Sequence, residues 1–582
     1  MGGSQGTDGI AARFLEAAAA SPDAIALSSP SEDWSYTKLL RRSGGVAIAL
    51  GDLGVGPGDR VGIASGRGFG RIVGMLGTAL AGAAFVPIDP KQPRSRISEI
   101  VADAEIEVVL QGARGGSLEM PVSVLDLDQA GEAAAPPDHS PGDVDRLAYV
   151  IFTSGSSGRP KGVEIVDRGV LALVEAVDEL ARRHRVDRIL QFAAHTFDAS
   201  IWEIFPALLT GRSLWFPVGE PGTIEPEQLL GEAMRAGVEM VTLPPSYLIA
   251  ADPATVTAMP KLTVVAGEPC PPALVRRWAS RTALHNAYGP TEITVAATIS
   301  QLTEDDAEEV PIGHPLPHVD IGVLSEGAPV EDASVGELFL GGPSLARGYL
   351  GDPRQTAERF RELDTKTGRQ RMYATGDLVR RRSDGQLVFV ERADRQVKVR
   401  GYRVELGDVE AALLADPAVE QAAVIATGRE ELLDRLIAFV SGPKAEPAAV
   451  RAEIARRRPD YMVPAEVRVI TTWPTNSSGK IDHSALRASI EETEEAAPST
   501  SGSDLADELA RHWRDLLEVS QIGPDANFFD LGGHSILVIR LVGAVRDGIG
   551  VKITTRDLYE HPRFDEFCAV VEAKVNAVPD PA

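Results

Sequence analysis

Cysteine is nearly absent from this chain: Cys270 and Cys568 are the only two in 582 residues. Two cysteines that far apart supply neither a zinc cluster nor a disulfide framework, and they fit a reducing compartment. Basic charge is also in short supply. With 58 Lys and Arg against 84 Asp and Glu, the formal net charge is −26. That argues against a chain that holds nucleic acid or an anionic membrane by bulk charge. Local clusters such as Arg182-Arg183-His184-Arg185 and Arg456-Arg457-Arg458 read as solvated helix faces. No apolar run approaches the roughly 18 residues of a membrane span, and the first residues lack a basic-then-apolar signal pattern. The expectation is a cytoplasmic protein with neither nucleic acid nor membrane as partner.

What is present is enough chain for several domains, since one domain takes roughly 100–200 residues. Apolar residues make up 44%, an ordinary supply for buried cores. Residues 1–9 are Gly-rich and polar, a tail. From Ile10, helical patterns alternate with short apolar strands such as Arg60–Ala64 and Ala84–Ile88, which predicts α/β layers with mainly parallel sheets. Beyond Asp320, runs such as Gly336–Gly342 and Gly385–Val390 predict a more antiparallel sheet, followed by a compact α+β unit ending near Ile490. Residues 491–503, acidic, small and without large apolar side chains, read as a linker. Helical patterns over Asp504–Leu517, Ser535–Val545 and Phe564–Ala573 then predict a small bundle.

Four stretches carry chemistry. An apolar strand, Leu147–Ile151, leads into Phe152-Thr153-Ser154-Gly155-Ser156-Ser157-Gly158-Arg159-Pro160-Lys161-Gly162. Its glycines let backbone N–H groups face one point, and its hydroxyls and Lys161 add donors, which suits a polyphosphate. Lys161 precedes Gly162 with no Ser or Thr after it, so this is not the common P-loop. Taken alone it also fits a flexible surface turn. The second stretch, Asn286-Ala287-Tyr288-Gly289-Pro290-Thr291-Glu292, ends in a carboxylate able to hold Mg²⁺ beside phosphate oxygens. The third, Tyr373-Ala374-Thr375-Gly376-Asp377, ends in one able to accept both hydroxyls of a ribose. In the fourth, Asn476–Asp482, Lys480 sits on a tight turn and suits a phosphate–carboxylate centre.

Together with Gly82–Pro90, Phe197-Asp198-Ala199-Ser200, Gly336–Phe360, Arg392–Glu405 and Asp460–Pro464, these motifs resemble the adenylation domains of nonribosomal peptide synthetases, within the adenylate-forming ligases. Phe528-Phe529-Asp530-Leu531-Gly532-Gly533-His534-Ser535 is similar to the attachment site of a peptidyl carrier protein, although Ser535 is also well placed to cap a helix. The resemblance implies a multidomain architecture: a large α/β N-terminal adenylation subdomain over 10–393, a small α+β C-terminal subdomain over 394–490, the 491–503 linker, an all-α four-helix carrier over 504–575, and a tail over 576–582.

It also implies two half-reactions. A carboxylate attacks the α-phosphorus of ATP and pyrophosphate leaves. The thiol of a 4′-phosphopantetheine arm on Ser535 then takes the acyl group and AMP leaves. The implied catalytic residues are Lys480, Thr153, Lys161 and Glu292, the last holding Mg²⁺ through ATP. The implied nucleotide-binding set adds Ser154, Gly155, Ser156, Ser157, Gly158, Asn286, Ala287, Tyr288, Gly289, Thr291, Asp377 and Arg392. The family has Gly before that arginine, whereas this chain has Glu391. Asp394 matches the hinge about which the C-terminal subdomain rotates, withdrawing Lys480 and bringing in the segment near Lys398 and Gly401.

The selectivity positions of the resemblance fall on Asp198, Ala199, Trp202, Thr242, Val264, Ala266, Ala287, Val295, Ala296 and Lys480. Asp198 would pair with an α-ammonium and Lys480 with the α-carboxylate, and the other eight carry no charge. Trp202 as a flat floor under four alanines gives a slot for a benzyl side chain. The set is similar to that of phenylalanine-activating domains, which have Cys where Ala296 stands, so a ring- or β-substituted phenylalanine also fits. Implied partners are an amino-acid substrate, a phosphopantetheinyl transferase, a downstream condensation or tailoring enzyme, and a small MbtH-like helper protein. No His-His-x-x-x-Asp-Gly motif occurs and nothing follows the bundle, which reads as a free-standing loader. Two other readings stay open: a ligase of the same superfamily that uses free CoA, and a degenerate carrier scaffold.

Overall fold

A computed structural model describes residues 9–112, 122–134, 143–154, 159–219, 224–256, 258–325, 327–330, 334–365, 368–393, 396–399, 401–429, 432–474, 481–495, 505–517, 522–529, 531, 533, 535–551 and 553–576. Lys480, Asp394 and Gly155–Gly158 lie outside the described residues, as do the side chain of Ser535 and the greater part of the linker.

The N-terminal part is built on two large sheets. One has nine strands, in which Ile25–Ser28, Ser213–Trp215, Arg188–Leu190, Met240–Leu243, Leu262–Ala266 and Ala283–Tyr288 run parallel. The other has seven, five of them parallel, with Lys161–Val166 and Gly348–Tyr349 joined antiparallel at one edge. Parallel strands need long crossovers, and amphipathic helices supply them. Tyr36–Asp52, Phe69–Leu80, Asp167–His184 and Ala199–Leu208 pack into one apolar core shared with both sheets. The expected helix Ile10–Ala20 and strand Arg60–Ala64 form with those bounds. Ser35 starts the next helix by accepting the Lys38 N–H, which satisfies an otherwise orphan donor.

A six-stranded antiparallel sheet follows, with Val335–Gly341 and Gly368–Arg381 at its centre, as the sequence predicts. The strand pair Gln396–Val399 and Tyr402–Glu405 leads into a smaller α+β unit. There the helices Leu406–Leu414 and Pro447–Ala455 pack on Gln421–Arg429, Leu432–Ser441 and Glu466–Val469.

The next helix corrects one expectation. His483–Glu495 runs five residues into the acidic stretch that reads as a linker from 491. Glutamate favours the helix, and Leu486 and Ile490 already anchor its apolar side, so the helix continues past the last buried residue.

The carrier contains Leu505–Leu517, Ser535–Ile549, Thr555–Glu560 and Phe564–Asn576. Its core centres on Trp513, fully buried, with edge-on contacts to Phe528 at 5.0 Å and Phe564 at 5.1 Å. The six-residue third helix carries too short a period to be read from sequence, but Thr554 and Asp557 form a capping box at its start. Among the described residues no helix is long and apolar enough to cross a membrane.

Candidate active site

The strand Leu147–Thr153 delivers Thr153 and Ser154 to the mouth of the seven-stranded sheet, and Lys161 opens the returning strand opposite Thr153. Thr153 Oγ1 is buried with no hydrogen-bond partner among the described residues. Lys161 points at Glu292, 3.7 Å away, and its ammonium lies 4.9 Å from the centre of the Tyr349 ring. Glu292 sits in the short turn Thr291–Ile293 and is fully buried. It accepts hydrogen bonds from Tyr349 Oη and Arg403 Nη1, both at 2.7 Å. Burial pushes its carboxyl up, but Arg403 and then Lys161 overcome that and hold it far below the usual carboxylate range. Burial, and next Arg403, lower Lys161 to about 8 against the pull of Glu292 and Glu405.

A buried carboxylate beside a lysine and the Thr153 and Ser154 hydroxyls is chemistry a hard cation accepts. In this arrangement, however, the Arg403 guanidinium takes the position of positive charge against Glu292. The donor set fits Mg²⁺ only once that side chain withdraws.

Asp377 and Arg392 face each other in register on adjacent strands. Arg392 Nη1 donates to Asp377 Oδ1 at 2.5 Å and Nη2 to the Thr375 carbonyl at 3.1 Å, while Tyr288 Oη donates to Asp377 Oδ2. Glu391 in place of the family's Gly therefore does not move Arg392 away from Asp377. Asn286 is otherwise engaged: its amide donates to the Pro311 carbonyl at 2.9 Å, so its side chain braces the sheet end. Gly289 permits a close crossing, since a Cβ there would lie 2.5 Å from the Val295 carbonyl oxygen and from Ala296 Cα.

The nine described selectivity positions all line one cavity of about 1670 Å³. Asp198 stands at the start of the helix Ala199–Leu208 and accepts the Thr291 hydroxyl at 2.6 Å. Burial raises its carboxyl above the ordinary value. One turn on, Trp202 is buried and its Nε1 donates to Thr242 Oγ1 at 3.1 Å, which fixes the plane of the ring. Thr294 and Val295 are both left-handed, at φ 55° and 75°. For β-branched residues that conformation is strained, and it places Val295 on the cavity wall next to Ala296. Nothing in the sequence signals that turn.

The other side of the cavity belongs to the C-terminal subdomain, through Lys398, Gly401, Tyr402 and Arg403. Burial lowers Lys398, with the charges of Asp377 and Asp198 pulling the other way. Ser154 Oγ donates to the Arg403 carbonyl at 2.6 Å and accepts the Glu405 N–H at 3.2 Å. Glu405 lies 3.8 Å from Lys161. Tyr402 packs edge-on against Phe197 at 4.3 Å and stacks on Tyr461 at 3.9 Å. Arg403 and Glu405 are the functional residues that sequence reasoning missed. The available signal was a short strand pair with charges of both signs inside a motif already picked out. At its far end the cavity is lined by Phe529, Gly533 and Tyr559 of the carrier, so one continuous space joins the carrier to Asp198.

The comparisons agree with this order of domains. The family model for AMP-binding enzymes matches residues 14–350, that for the AMP-binding enzyme C-terminal domain matches 408–480, and that for the phosphopantetheine attachment site matches 507–571. Novobiocin biosynthesis protein H of Streptomyces niveus is 37% identical over 571 residues, 94% of each chain. Bacitracin synthase 3 of Bacillus licheniformis is 36% identical over 96% of this chain, which spans 9% of that longer protein. Among solved structures, holo-PA1221, a nonribosomal peptide synthetase protein with adenylation and carrier domains bound to a vinylsulfonamide inhibitor, superposes with a TM-score of 0.84. It has 26% identity and 97% coverage of both chains.

Proposed function

This chain belongs to the AMP-binding enzymes, as an adenylation–carrier didomain of the nonribosomal peptide synthetase type, and from that premise we propose that it activates an aromatic L-amino acid and loads it onto its own carrier. It is an ATP-dependent, AMP-forming ligase. The proposed substrate is phenylalanine or a ring- or β-substituted phenylalanine.

One observation carries the amino-acid reading: a partly buried carboxylate, Asp198, at the head of a slot whose other eight described selectivity positions carry no charge. Once Lys398 withdraws for the first step, an acid without an α-amine would leave Asp198 desolvated without a countercharge, which is costly. Trp202, fixed by Thr242, closes the slot with a flat face and favours a ring over a branched chain.

In the first step the reactants are both anions, so alignment and charge neutralisation carry the catalysis. Lys161 and the Thr153 and Ser154 hydroxyls are the described donors for the leaving phosphates. Lys480 is the proposed clamp on the substrate carboxylate. Asp377 orients the ribose, with Arg392 holding Asp377 in place. Mg²⁺, when bound, supplies positive charge at the phosphates, and Glu292 is the residue that would hold it. The arrangement seen here supports the second step instead. The strand pair 396–405 occupies the phosphate side and Lys398 stands near Asp198. The phosphopantetheine arm supplies the accepting thiol, and Phe529, Gly533 and Tyr559 border its entrance.

A phosphopantetheinyl transferase, a condensation or tailoring enzyme and a small MbtH-like helper protein are the proposed partners. ATP–pyrophosphate exchange over a panel of aromatic and branched amino acids tests the reading. Aromatic acids should lead, and a branched aliphatic acid ahead of all of them overturns the pocket assignment.

A further inference from the structure

The helix Ala199–Leu208 carries Asp198 at its start and Trp202 one turn on, and the next residue, Glu203, is a fully buried carboxylate that the chemistry above leaves unused. It reaches back to the chain leaving the strand Arg188–Leu190. Its oxygens accept the Phe192 N–H at 3.1 Å, the Ala193 N–H at 3.0 and 3.2 Å, and the Gln191 side-chain amide at 3.1 Å. Burial pushes the Glu203 carboxyl up to about 8, and the Ala193 amide and then Arg67 oppose that. Each of these hydrogen-bond partners is a donor, so the ionised carboxylate is the form that suits them.

The carbonyls of the same segment are held from the other sheet. Arg67, on the turn between the strand Arg60–Ala64 and the helix Phe69–Leu80, donates from Nη1 to the Gln191 carbonyl at 2.6 Å and from Nη2 to the Phe192 carbonyl. The buried Arg71 donates to Gln191 Oε1, which orients that amide so that its Nε2 donates to the Ala193 carbonyl at 2.6 Å and to Glu203. Further along, His195 Nε2 donates to the Ile88 carbonyl at 3.1 Å. Residues 192–197 line the cavity on the way to Asp198.

Resting on the amino-acid activation proposed above, we infer that Glu203, with Arg67, is a positioning residue for amino-acid selection: the two clamp residues 191–193 by their N–H and C=O groups alike and so fix where Asp198 and Trp202 stand. Residues 193–203 form a loop closed by the Glu203 carboxylate, and a shift of the helix against the strand end would carry Asp198 with it. Trp202 bonds Thr242 on the strand Met240–Leu243, which pairs with Arg188–Leu190. The helix is thus tied to two adjacent strands, at Trp202 and at Glu203. Glutamine at 203 would keep the shape but turn an NH₂ toward donors, leaving a buried N–H without its acceptor. Both Glu203 and Arg67 act through the segment they hold.

The test is ATP–pyrophosphate exchange with the full chain, beside hydrogen exchange read by mass spectrometry. Glu203→Gln should raise KM for phenylalanine by about tenfold or more while KM for ATP stays within about twofold, since a misplacement of about 1 Å is worth up to about a hundredfold. The preference for phenylalanine over 3-phenylpropanoate should fall by a similar factor, and Glu203→Asp, which keeps the charge, should restore part of it. Amide exchange should quicken over residues 191–198 and stay unchanged in the carrier. Arg67→Gln should give the same pattern more weakly, and it decides the matter if Glu203→Gln does not fold. Unchanged KM and preference, or equal losses for phenylalanine and ATP, overturn the inference. If the unsubstituted chain exchanges with no amino acid, the function assignment fails. Amide exchange over 191–198 then decides this one, and its staying unchanged in Glu203→Gln overturns the clamp.

Discussion

Arg403 and Glu292 stand 111 positions apart in sequence yet form a buried ion pair at 2.7 Å across the boundary between the subdomains. Around it, two of the three described groups expected to hold the departing pyrophosphate, Ser154 and Lys161, have partners on the strand pair 396–405, and Thr153 Oγ1 has none among the described residues. Ser154 bonds Arg403 and Glu405 backbone atoms, and Lys161 lies near the Glu405 carboxylate. The strand pair thus places a cation at Glu292, where a metal ion is expected, and an anion at Lys161, where phosphate is expected.

Removing Arg403 leaves Glu292 buried with Lys161 as its nearest countercharge, and breaking a buried pair from one side typically costs about 3–5 kcal/mol. Arg403→Ala should therefore slow thioester formation on Ser535 by at least about a hundredfold, part of that cost being relieved by water. Exchange, which needs the strand pair elsewhere, should change far less. Single-turnover loading measured beside exchange checks this, and equal losses would contradict it.

Lys161 titrates within reach of ordinary assays, since its environment lowers it from 10.5 to about 8. Above that pH it loses the charge that grips phosphate. The kcat/KM for ATP in exchange, which reports the free enzyme, should fall above about pH 8 with the loss of one proton. Lys161→Arg, which stays charged, should move that fall upward. The stability effect has the opposite sense. The folded chain binds fewer protons here than the unfolded chain between about 8 and 10.5, so this group's contribution is full above 10.5 and is lost as pH falls through about 8.

The glycine pair before Ser535 has a packing reason at its second member. A Cβ on residue 533 would lie 2.1 Å from Phe528 Cδ1 and 2.4 Å from the Phe528 carbonyl oxygen. Phe528 is itself locked against Trp513 and cannot yield. Gly533→Ala should destabilise the carrier by about 1–3 kcal/mol. The readout is a lower melting transition for the carrier and slower arm attachment, with exchange unaffected.

Sequence pattern reached the parts of this molecule that repeat locally. The helix Ile10–Ala20 and strand Arg60–Ala64 follow from apolar spacing alone, and the nine described pocket positions fall together because a resemblance carries three-dimensional placement that spacing does not. What stayed hidden depends on contact between distant segments or on single backbone angles. Arg403 and Glu405 gain meaning only when the strand pair meets Ser154 and Lys161. The turn at Thr294 and Val295 runs against the preference of its own residues. The helix over 491–495 failed to show because an acidic run without apolar residues looks the same whether it extends a helix or leaves it.

The pocket makes the sharpest prediction about substrates. Asp198 is partly buried, accepts a bond of 2.6 Å from the Thr291 hydroxyl, and has its carboxyl raised by desolvation, so on the proposed reading a substrate ammonium gains a strong partner there. Phenylalanine should outperform 3-phenylpropanoate in exchange by at least about 10³-fold, somewhat less than the roughly 10⁴–10⁵ by which a site fully built for a polar group rejects analogues lacking it. Asp198→Ala should lose most of that preference. On the proposed reading Trp202, whose Nε1 donates to Thr242 Oγ1, sets the depth of the slot. Trp202→Ala should weaken exchange with phenylalanine by at least about 10-fold, the lower end of what even one methylene is worth in an apolar pocket. The same variant should improve, relative to phenylalanine, acids whose ring bears a long para substituent. If Trp202→Ala instead favours branched aliphatic acids and gains nothing with longer rings, Trp202 is not the floor of the substrate slot.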